Sequence, residues 1–365
     1  MRIVLTGGGT GGHLVPLVTV AKKFKEKNPE TEFLFLGPDG QLEGKIIGEA
    51  GIPMKKIPAG KLRRYFSFQY FLDVFKVPIG IIKSLWILFA FMPDAIFSKG
   101  GYATLPVVLV GWIYRIPVLV HESDATPGMA NAFLSRFAER VAVSYPQAEK
   151  YFNEKKVVVT GSPLREEITA GDVAAGRSRF SLSDSKKVLF IYGGSQGARN
   201  INNKILNILP ELLHKYQIIH QTGMENYEEV VKKAGELGIK AGREGYHPVA
   251  FVGEEIKDIL AAADLVISRA GSSSIAEIAA NGKPAIIIPL AVAANDHQRM
   301  NAYAIAKGGG CVVLEEDNLG ENMLLRNIDE ILGNEELRNK LSTNIRSFYQ
   351  PDAAERIVEG IMGMI

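Results

Sequence analysis

Ile3–His13 reads IVLTGGGTGGH and Val188–Asn200 reads VLFIYGGSQGARN. Each begins as a run of apolar, mostly β-branched or aromatic residues and breaks at a glycine cluster. Each then continues into a stretch long enough for a helix. Strand, glycine turn, helix is the opening of a nucleotide-binding α/β fold, and it occurs here twice. Further apolar runs follow each opening. Those of the first half are Phe33–Leu36, Ala95–Ser98, Val118–Val120, Val141–Ser144 and Val157–Thr160; those of the second are Ile218–Gln221, Val249–Val252, Leu265–Ser268, Ala285–Pro289 and Cys311–Leu314. Most gaps between them are helix-sized, so the expected sheets are parallel and covered on both faces. Six strands per half predict an α/β protein of two Rossmann-like, doubly wound domains facing across a cleft. The Gly- and Pro-punctuated stretch Thr160–Glu167 is the expected linker. The boundaries are 1–163 and 164–347, with a last helix at about 348–365 able to pack back on the first domain.

A chain of 365 residues exceeds one ordinary core. The net charge of +2 offers no electrostatic case for nucleic acid. The single cysteine, Cys311, excludes an internal disulfide and suits a reducing compartment. The first residues lack the charged-then-apolar layout of a signal peptide and read as the first strand. Val77–Pro93 is the most apolar segment, but it is short for a span and contains Lys83 and Pro78. It reads as a buried helix or as one that partly docks on a bilayer.

The chemistry-bearing residues cluster where strands end. His13 closes the first glycine loop, either as a general base or as a cap of the turn. Gly7, Gly9 and Gly12 formally satisfy a dinucleotide pattern, and Asp39, which lies after Gly37-Pro38, is a candidate for the acid that a nicotinamide enzyme needs. In the second loop, Ser195 and the neighbouring N–H groups form either an anion-binding turn or a bare strand–helix turn. The third constellation is Ser268-Arg269-Ala270-Gly271 followed by Ser272, Ser273, Ser274 and Glu277. There Glu277 is placed to accept ribose hydroxyls or to cap its helix. Asn295–Gln298 follow the next strand and suit sugar hydroxyls. Ser98–Tyr102 and His121–Asp124, with Asn131 beyond, are further polar groups at strand ends, or solvated loops. A P-loop, a zinc pattern and an Asp-x-Asp pair are all missing from the sequence, so neither metal nor cofactor is expected. The charge of a leaving diphosphate then falls to helix N-termini, serine hydroxyls and a cation such as Arg165.

Together GGGTGGHLVP (Gly7–Pro16), SKGGY (Ser98–Tyr102), HESDATPGMAN (His121–Asn131), GSPLR (Gly161–Arg165), GGSQGARNIN (Gly193–Asn202) and SRAGSSSIAEIAANGKPAIIIPL (Ser268–Leu290) resemble the MurG family of UDP-N-acetylglucosamine transferases. The resemblance runs in order from Gly7 to about Asn301. It implies a GT-B fold in which the second half holds the UDP-sugar and the first takes lipid I, the undecaprenyl-pyrophosphoryl-N-acetylmuramyl-pentapeptide acceptor. By motif, Ser195 and Arg165 would meet the diphosphate or nearby nucleotide, Ser272–Ser274 would line the nucleotide pocket, Glu277 would bind the ribose, and Gln298 would read the N-acetylglucosamine. Thr10, Gly11 and Gly12 would face donor sugar and acceptor. The family also implies peripheral attachment to the cytoplasmic face of the plasma membrane, with cell-wall synthesis or division proteins as partners. Asp124 departs from a His-Glu-Gln-Asn pattern of some relatives. Asp-His-Gln-Arg replaces paired glutamines, so His297 would share the role of Gln298. No uracil contact is assigned in Val252–Ile256. The expected reaction is a single inverting displacement with His13 as base, Glu122 or Asp124 being the alternatives. Rival readings are a GT-B transferase with another lipid acceptor, a UDP-sugar epimerase, a nucleotide-binding oxidoreductase and a non-catalytic nucleotide sensor.

Overall fold

Residues 2–6 alternate their side chains between two apolar layers, and this explains the uninterrupted hydrophobic run. Ile3 and Leu5 enter one core with Leu14, Leu17, Phe24, Phe35 and Phe97, while Val4 enters another with Leu36, Ile96, Val107 and Val120. A strand covered on both faces has no solvent side to mark with polar residues. The computed structural model describes residues 1–9, 11–58, 60, 68–194, 197–291 and 296–365, the side chains of 68–75 excepted. The described chain divides into two units, Met1–Arg165 with Gln350–Ile365, and Glu166–Tyr349.

The strands of the first unit are β1 (Arg2–Thr6), β2 (Glu32–Gly37), β3 (Met54–Lys56), β4 (Ala95–Ser98), β5 (Val118–Glu122), β6 (Arg140–Val143) and β7 (Val157–Val159). They form one parallel sheet of order β3-β2-β1-β4-β5-β6-β7. The helices of this part are α1 (Gly11–Lys27), α2 (Gln41–Glu49), α3 (Phe68–Phe91), α4 (Leu105–Ile113) and α5 (Met129–Leu134). Among the described residues, seven strands replace the six expected. The addition, β3, is a half-polar Met-Lys-Lys at the sheet edge, too short and too charged to show as an apolar run.

The first α-helix of the second unit is α6 (Val173–Arg179), whose N-cap Asp172 accepts from Ala174 N and Ala175 N at 2.7 and 3.3 Å. Its sheet comprises β8 (Lys187–Tyr192), β9 (Tyr216–Gln221), β10 (Tyr246–Val249), β11 (Leu265–Ser268), β12 (Ala285–Ile287) and β13 (Val312–Val313), in the order β10-β9-β8-β11-β12-β13. All pairs are again parallel. Its other helices are α7 (Arg199–Asn207), α8 (Leu209–Lys215), α9 (Tyr227–Glu236), α10 (Ile256–Ala262), α11 (Ser272–Ala280), α12 (His297–Lys307), α13 (Glu321–Gly333) and α14 (Glu335–Arg346). The strand expected at Val249–Val252 lies at Tyr246–Val249 instead. Pro248 lies inside β10, which is tolerated because this strand is at the edge.

The last helix, α15 (Ala353–Met362), returns to the first unit and packs along α1. Ile357, Val358 and Ile361 are fully buried in the core that holds Ile3 and Leu5. In each sheet the strand order reverses beside the opening strand, between β1 and β4 and between β8 and β11. Crevices beyond the carboxyl ends of the strands at such switch points are where open α/β sheets bind ligands.

Candidate active site

In the first unit the loops after β1, β4 and β5 carry the polar groups. Gly8 has φ 148, and a Cβ there would stand 2.7 Å from Pro38 Cδ, so only glycine lets the loop pass. His13 lies in the first turn of α1 and hydrogen-bonds through Nδ1 to Gly8 O at 2.8 Å. A carbonyl can only accept, so Nδ1 carries the proton and Nε2 holds the lone pair. Burial and the Lys99 charge lower the His13 pKa below its ordinary value, against the Gly8 bond and Asp124. The imidazole is therefore neutral at pH 7.

Glu122, at the end of β5, is buried. Its Oε1 accepts Asp124 N at 2.9 Å, and its Oε2 accepts Gly128 N at 3.1 Å and Asn131 Nδ2 at 2.9 Å. Three donors, two from the loop after β5 and one from the first turn of α5, make Glu122 the organiser of residues 123–131. Burial and then the Asp124 charge raise its pKa, against the Asp124 N–H, Asn131 and Lys99. Asn131 is itself buried, its Nδ2 donating also to His121 O at 3.2 Å. His121 sits fully buried in β5 with Nε2 on Gly161 O at 3.1 Å. Burial, and then Lys99, push its pKa well down, so it is a neutral tether for the stretch after β7.

Two groups of this unit were not singled out as site residues by sequence reasoning. Lys99 is buried beyond β4, donating to Ser123 Oγ at 2.5 Å; burial brings its pKa down to about 8, against the raising pull of Glu122 and Asp124. A lysine following an apolar strand was visible, but not its burial. Glu43, in the first turn of α2, is buried and accepts Gly9 N at 2.9 Å. Nothing in the sequence near Glu43 marks it.

In the second unit the loops after β8 and β11 adjoin. Gly194 O accepts Gln221 Nε2 at 3.0 Å. Gly197 has φ 74, and a Cβ there would meet Thr222 O at 2.2 Å. Beneath this turn, buried His220 bridges Tyr246 Oη and Asn202 Oδ1, both at 3.0 Å, and Asn202 Nδ2 donates to Thr222 O at 2.9 Å. Ser272, Ser273 and Ser274 form the first turn of α11, half-buried, where helix N–H groups lack intrahelical partners. Glu277 lies further along that helix, and its Oε2 accepts the Tyr192 hydroxyl at 2.8 Å. That bond crosses from α11 to the end of β8.

Arg269, just after β11, forms an ion pair with Glu316 and donates to Ile288 O and Pro289 O at 3.3 Å. Glu316 also accepts Ala291 N at 3.2 Å. Gln298 Oε1 accepts Leu290 N at 3.0 Å, and His297 begins α12 beside it. Arg269, Glu316 and Gln298 thus pin the segment leaving β12. Arg165 is half-buried at the end of the first unit. Gly11 and Gly12 begin α1. Thr10 and Ser195 lie outside the described residues, as does Asn295.

Residues 3–143 match the glycosyltransferase family 28 N-terminal domain, and residues 188–357 match the family's C-terminal domain. A Bacillus cereus protein named "UDP-N-acetylglucosamine--N-acetylmuramyl-(pentapeptide) pyrophosphoryl-undecaprenol N-acetylglucosamine transferase 2" is 38% identical over 361 residues, 99% of each chain. A Clostridium perfringens transferase of the same name, without the final numeral, is 40% identical over 336 residues, covering 92% of this chain and 91% of its own. The crystal structure of Acinetobacter baumannii MurG superposes with a TM-score of 0.77 at 25% identity, covering 99% of both chains. A UDP-GlcNAc 2-epimerase from Neisseria meningitidis shares the fold, with a TM-score of 0.72 at 14% identity over 100% of both chains. On its full-length relatives and both domain matches, the chain belongs to glycosyltransferase family 28 and, within it, to the MurG transferases.

Proposed function

We propose that this chain transfers N-acetylglucosamine from UDP-N-acetylglucosamine to the 4-hydroxyl of N-acetylmuramic acid in undecaprenyl-pyrophosphoryl-N-acetylmuramyl-pentapeptide. The products are lipid II and UDP. The Bacillus and Clostridium relatives are named for this donor sugar and this acceptor. The observation that carries the mechanism is the neutral His13, whose Nδ1 is already bonded to Gly8 O. Nε2 takes the proton of the acceptor hydroxyl as that oxygen attacks the anomeric carbon, and UDP leaves from the opposite face, inverting the configuration. Glu122 is the weaker candidate, because three donors occupy its oxygens. Asp124 remains the second. Ser272–Ser274 and Ser195 receive the nucleotide and its diphosphate, with Arg165 contributing positive charge; His297 and Gln298 read the donor sugar, and Thr10, Gly11, Gly12 and Asn131 serve the acceptor side. The test is transfer of radiolabel from UDP-N-acetylglucosamine to a lipid I analogue. Label in the lipid fraction with release of UDP is expected. Accumulation of an epimerised UDP-sugar, or binding without turnover, would replace this reading.

Glu277 is the ribose acceptor in this scheme, its carboxylate braced by Tyr192. Glu277→Ala is expected to weaken UDP binding by roughly 1.5–3 kcal/mol, the scale of hydrogen bonds to a charged group. Unchanged UDP affinity by calorimetry would remove the role.

Attachment to the cytoplasmic face of the membrane is the remaining part of the proposal. Among the described residues no helix is long and apolar enough to cross a membrane. On α3, Ile79, Ile82, Trp86 and Phe89 are exposed at helical spacing, Trp86 by 73%. Lys76 and Lys83 are exposed beside them. The neighbouring α4 adds exposed Trp112 and Ile113, and Arg115 is exposed just beyond its end. Such a face suits the headgroup boundary of an anionic bilayer, with each cation there worth about 1 kcal/mol. Leu88 does not belong to this face, because it is buried in the core. Lys61, Arg63, Arg64 and Phe66 lie outside the described residues, as do the side chains of Phe68, Tyr70, Phe71 and Phe75. Co-sedimentation with anionic vesicles is expected to fall sharply when Lys76, Lys83 and Trp86 are all changed to Ser. Equal binding at low and high salt would clear this face of the role.

A further inference from the structure

One peptide group joins His13 to a carboxylate that the imidazole does not contact. The Gly8 carbonyl accepts from His13 Nδ1 at 2.8 Å, and the N–H of that same Gly8–Gly9 peptide donates to Glu43 Oε1 at 2.9 Å. Glu43 is 4% exposed and comes from α2, a different element. Its surroundings leave the carboxylate little freedom. A Cβ on Gly40 would stand 2.0 Å from Glu43 Oε2, so the carboxylate occupies space that any other residue at position 40 would fill. A Cβ on Gly8 would meet Pro38 Cδ at 2.7 Å and Glu43 Oε1 at 3.1 Å.

We propose that Glu43 is a positioning residue for the transfer reaction, acting on His13 through the Gly8–Gly9 peptide. The proposal rests on the reading of His13 as the base. Held at its N–H end by the carboxylate, the peptide cannot rotate, and its carbonyl stays aimed at Nδ1–H. A peptide whose N–H donates to an anion is also a better acceptor at its oxygen, since linked hydrogen bonds polarise one another by about 10–30% per bond. The result fixes both the tautomer and the direction of the ring, leaving the Nε2 lone pair for the acceptor hydroxyl. The arrangement does for His13 what a directly bonded carboxylate does for a catalytic histidine, with a peptide in between. It has a second consequence. The Gly9 N–H is already taken and faces a negative charge, so this part of the glycine loop does not cradle a phosphate, although its GxGxxG pattern resembles loops that do.

Steady-state kinetics of the full chain, with Glu43→Ala, Glu43→Gln, His13→Ala and the double variant Glu43→Ala/His13→Ala, test the idea. Glu43→Ala is expected to lower kcat by about tenfold or more with KM for the UDP-sugar within about twofold, the pattern of a lost transition-state contribution. Gln at position 43 retains an acceptor oxygen for Gly9 N–H, so it should recover kcat to within about fivefold of the parent. In the His13→Ala background, Glu43→Ala should add less than about twofold, because coupled residues are not additive. A kcat for Glu43→Ala within about twofold of the parent would overturn the proposal, as would a full extra loss in the His13→Ala background. If His13→Ala itself turns over normally, the base assignment falls and this proposal with it. If the alanine variant does not fold, imidazole ¹⁵N shifts of His13 in the unaltered protein decide. A protonated Nδ1 with bare Nε2 supports the relay, and the opposite tautomer sinks it.

Discussion

His13→Ala is expected to lower kcat by about 10²-fold or more while UDP affinity survives, because a general base acts in the transition state. The nucleotide-binding groups proposed above, Ser272–Ser274 and Glu277, belong to the other unit, so the loss should not appear as weaker nucleotide binding. The pH dependence follows from the electrostatics. Burial and Lys99 lower the His13 pKa from its ordinary 6.5, with Gly8 and Asp124 pulling back. A base must be neutral to work, so the acidic limb of kcat/KM should lie below that ordinary value. Replacing Lys99 with Met removes a positive charge, makes the imidazolium easier to form, and should move the limb to higher pH. A limb that stays in place in Lys99→Met would detach it from His13. Near-normal turnover of His13→Ala would pass the base role to Asp124 or Glu122.

Arg269→Ala should cost the second unit about 3–5 kcal/mol, the scale for removing one partner of a buried ion pair and stranding the other. The side chains of Arg269 and Glu316 are only 13% and 7% exposed. Without the guanidinium, Glu316 keeps its bond from Ala291 N but loses its counter-charge, and Ile288 O and Pro289 O lose their donor. At about 2–4 °C per kcal/mol for a domain of this size, melting should drop by roughly 10 °C. An unchanged transition by calorimetry would mean that water already reaches the pair. Burial tends to raise the Glu316 carboxyl; Arg269, the Ala291 N–H and Asn200 outweigh it and hold the carboxyl below its usual range. A carboxyl lowered by folding stabilises above its unfolded pKa, and that contribution is lost as pH falls through the lowered value. The parent should therefore lose part of its advantage over Arg269→Ala in acid.

What the sequence made legible was what local pattern carries. Buried parallel strands announce themselves as apolar runs, and glycine loops by composition. The exceptions have local causes. Pro248 argues against a strand until one knows it lies at the edge, and Lys55-Lys56 hides β3 for the same reason. At the site, His13, Glu122 and Glu277 could be selected because each follows a strand or a turn at a recognisable distance. Their working partners could not. Glu43 reaches Gly9 across 34 residues, and Tyr192 reaches Glu277 across 85. Such pairings depend on strand order and helix placement, which no local spacing encodes. The same holds for Glu122, chosen as a candidate base, since its three donors become visible only when residues 123–131 fold back over it.

The return of α15 to the first unit sets an order on synthesis. Glu166–Tyr349 is one continuous segment and has all its strands once Val313 has been made. The unit at the amino terminus is still missing Ile357, Val358 and Ile361 at that moment, three fully buried members of its core. On a ribosome, the half translated first is thus the half completed later, and until α15 emerges it leaves an apolar seam along α1 uncovered.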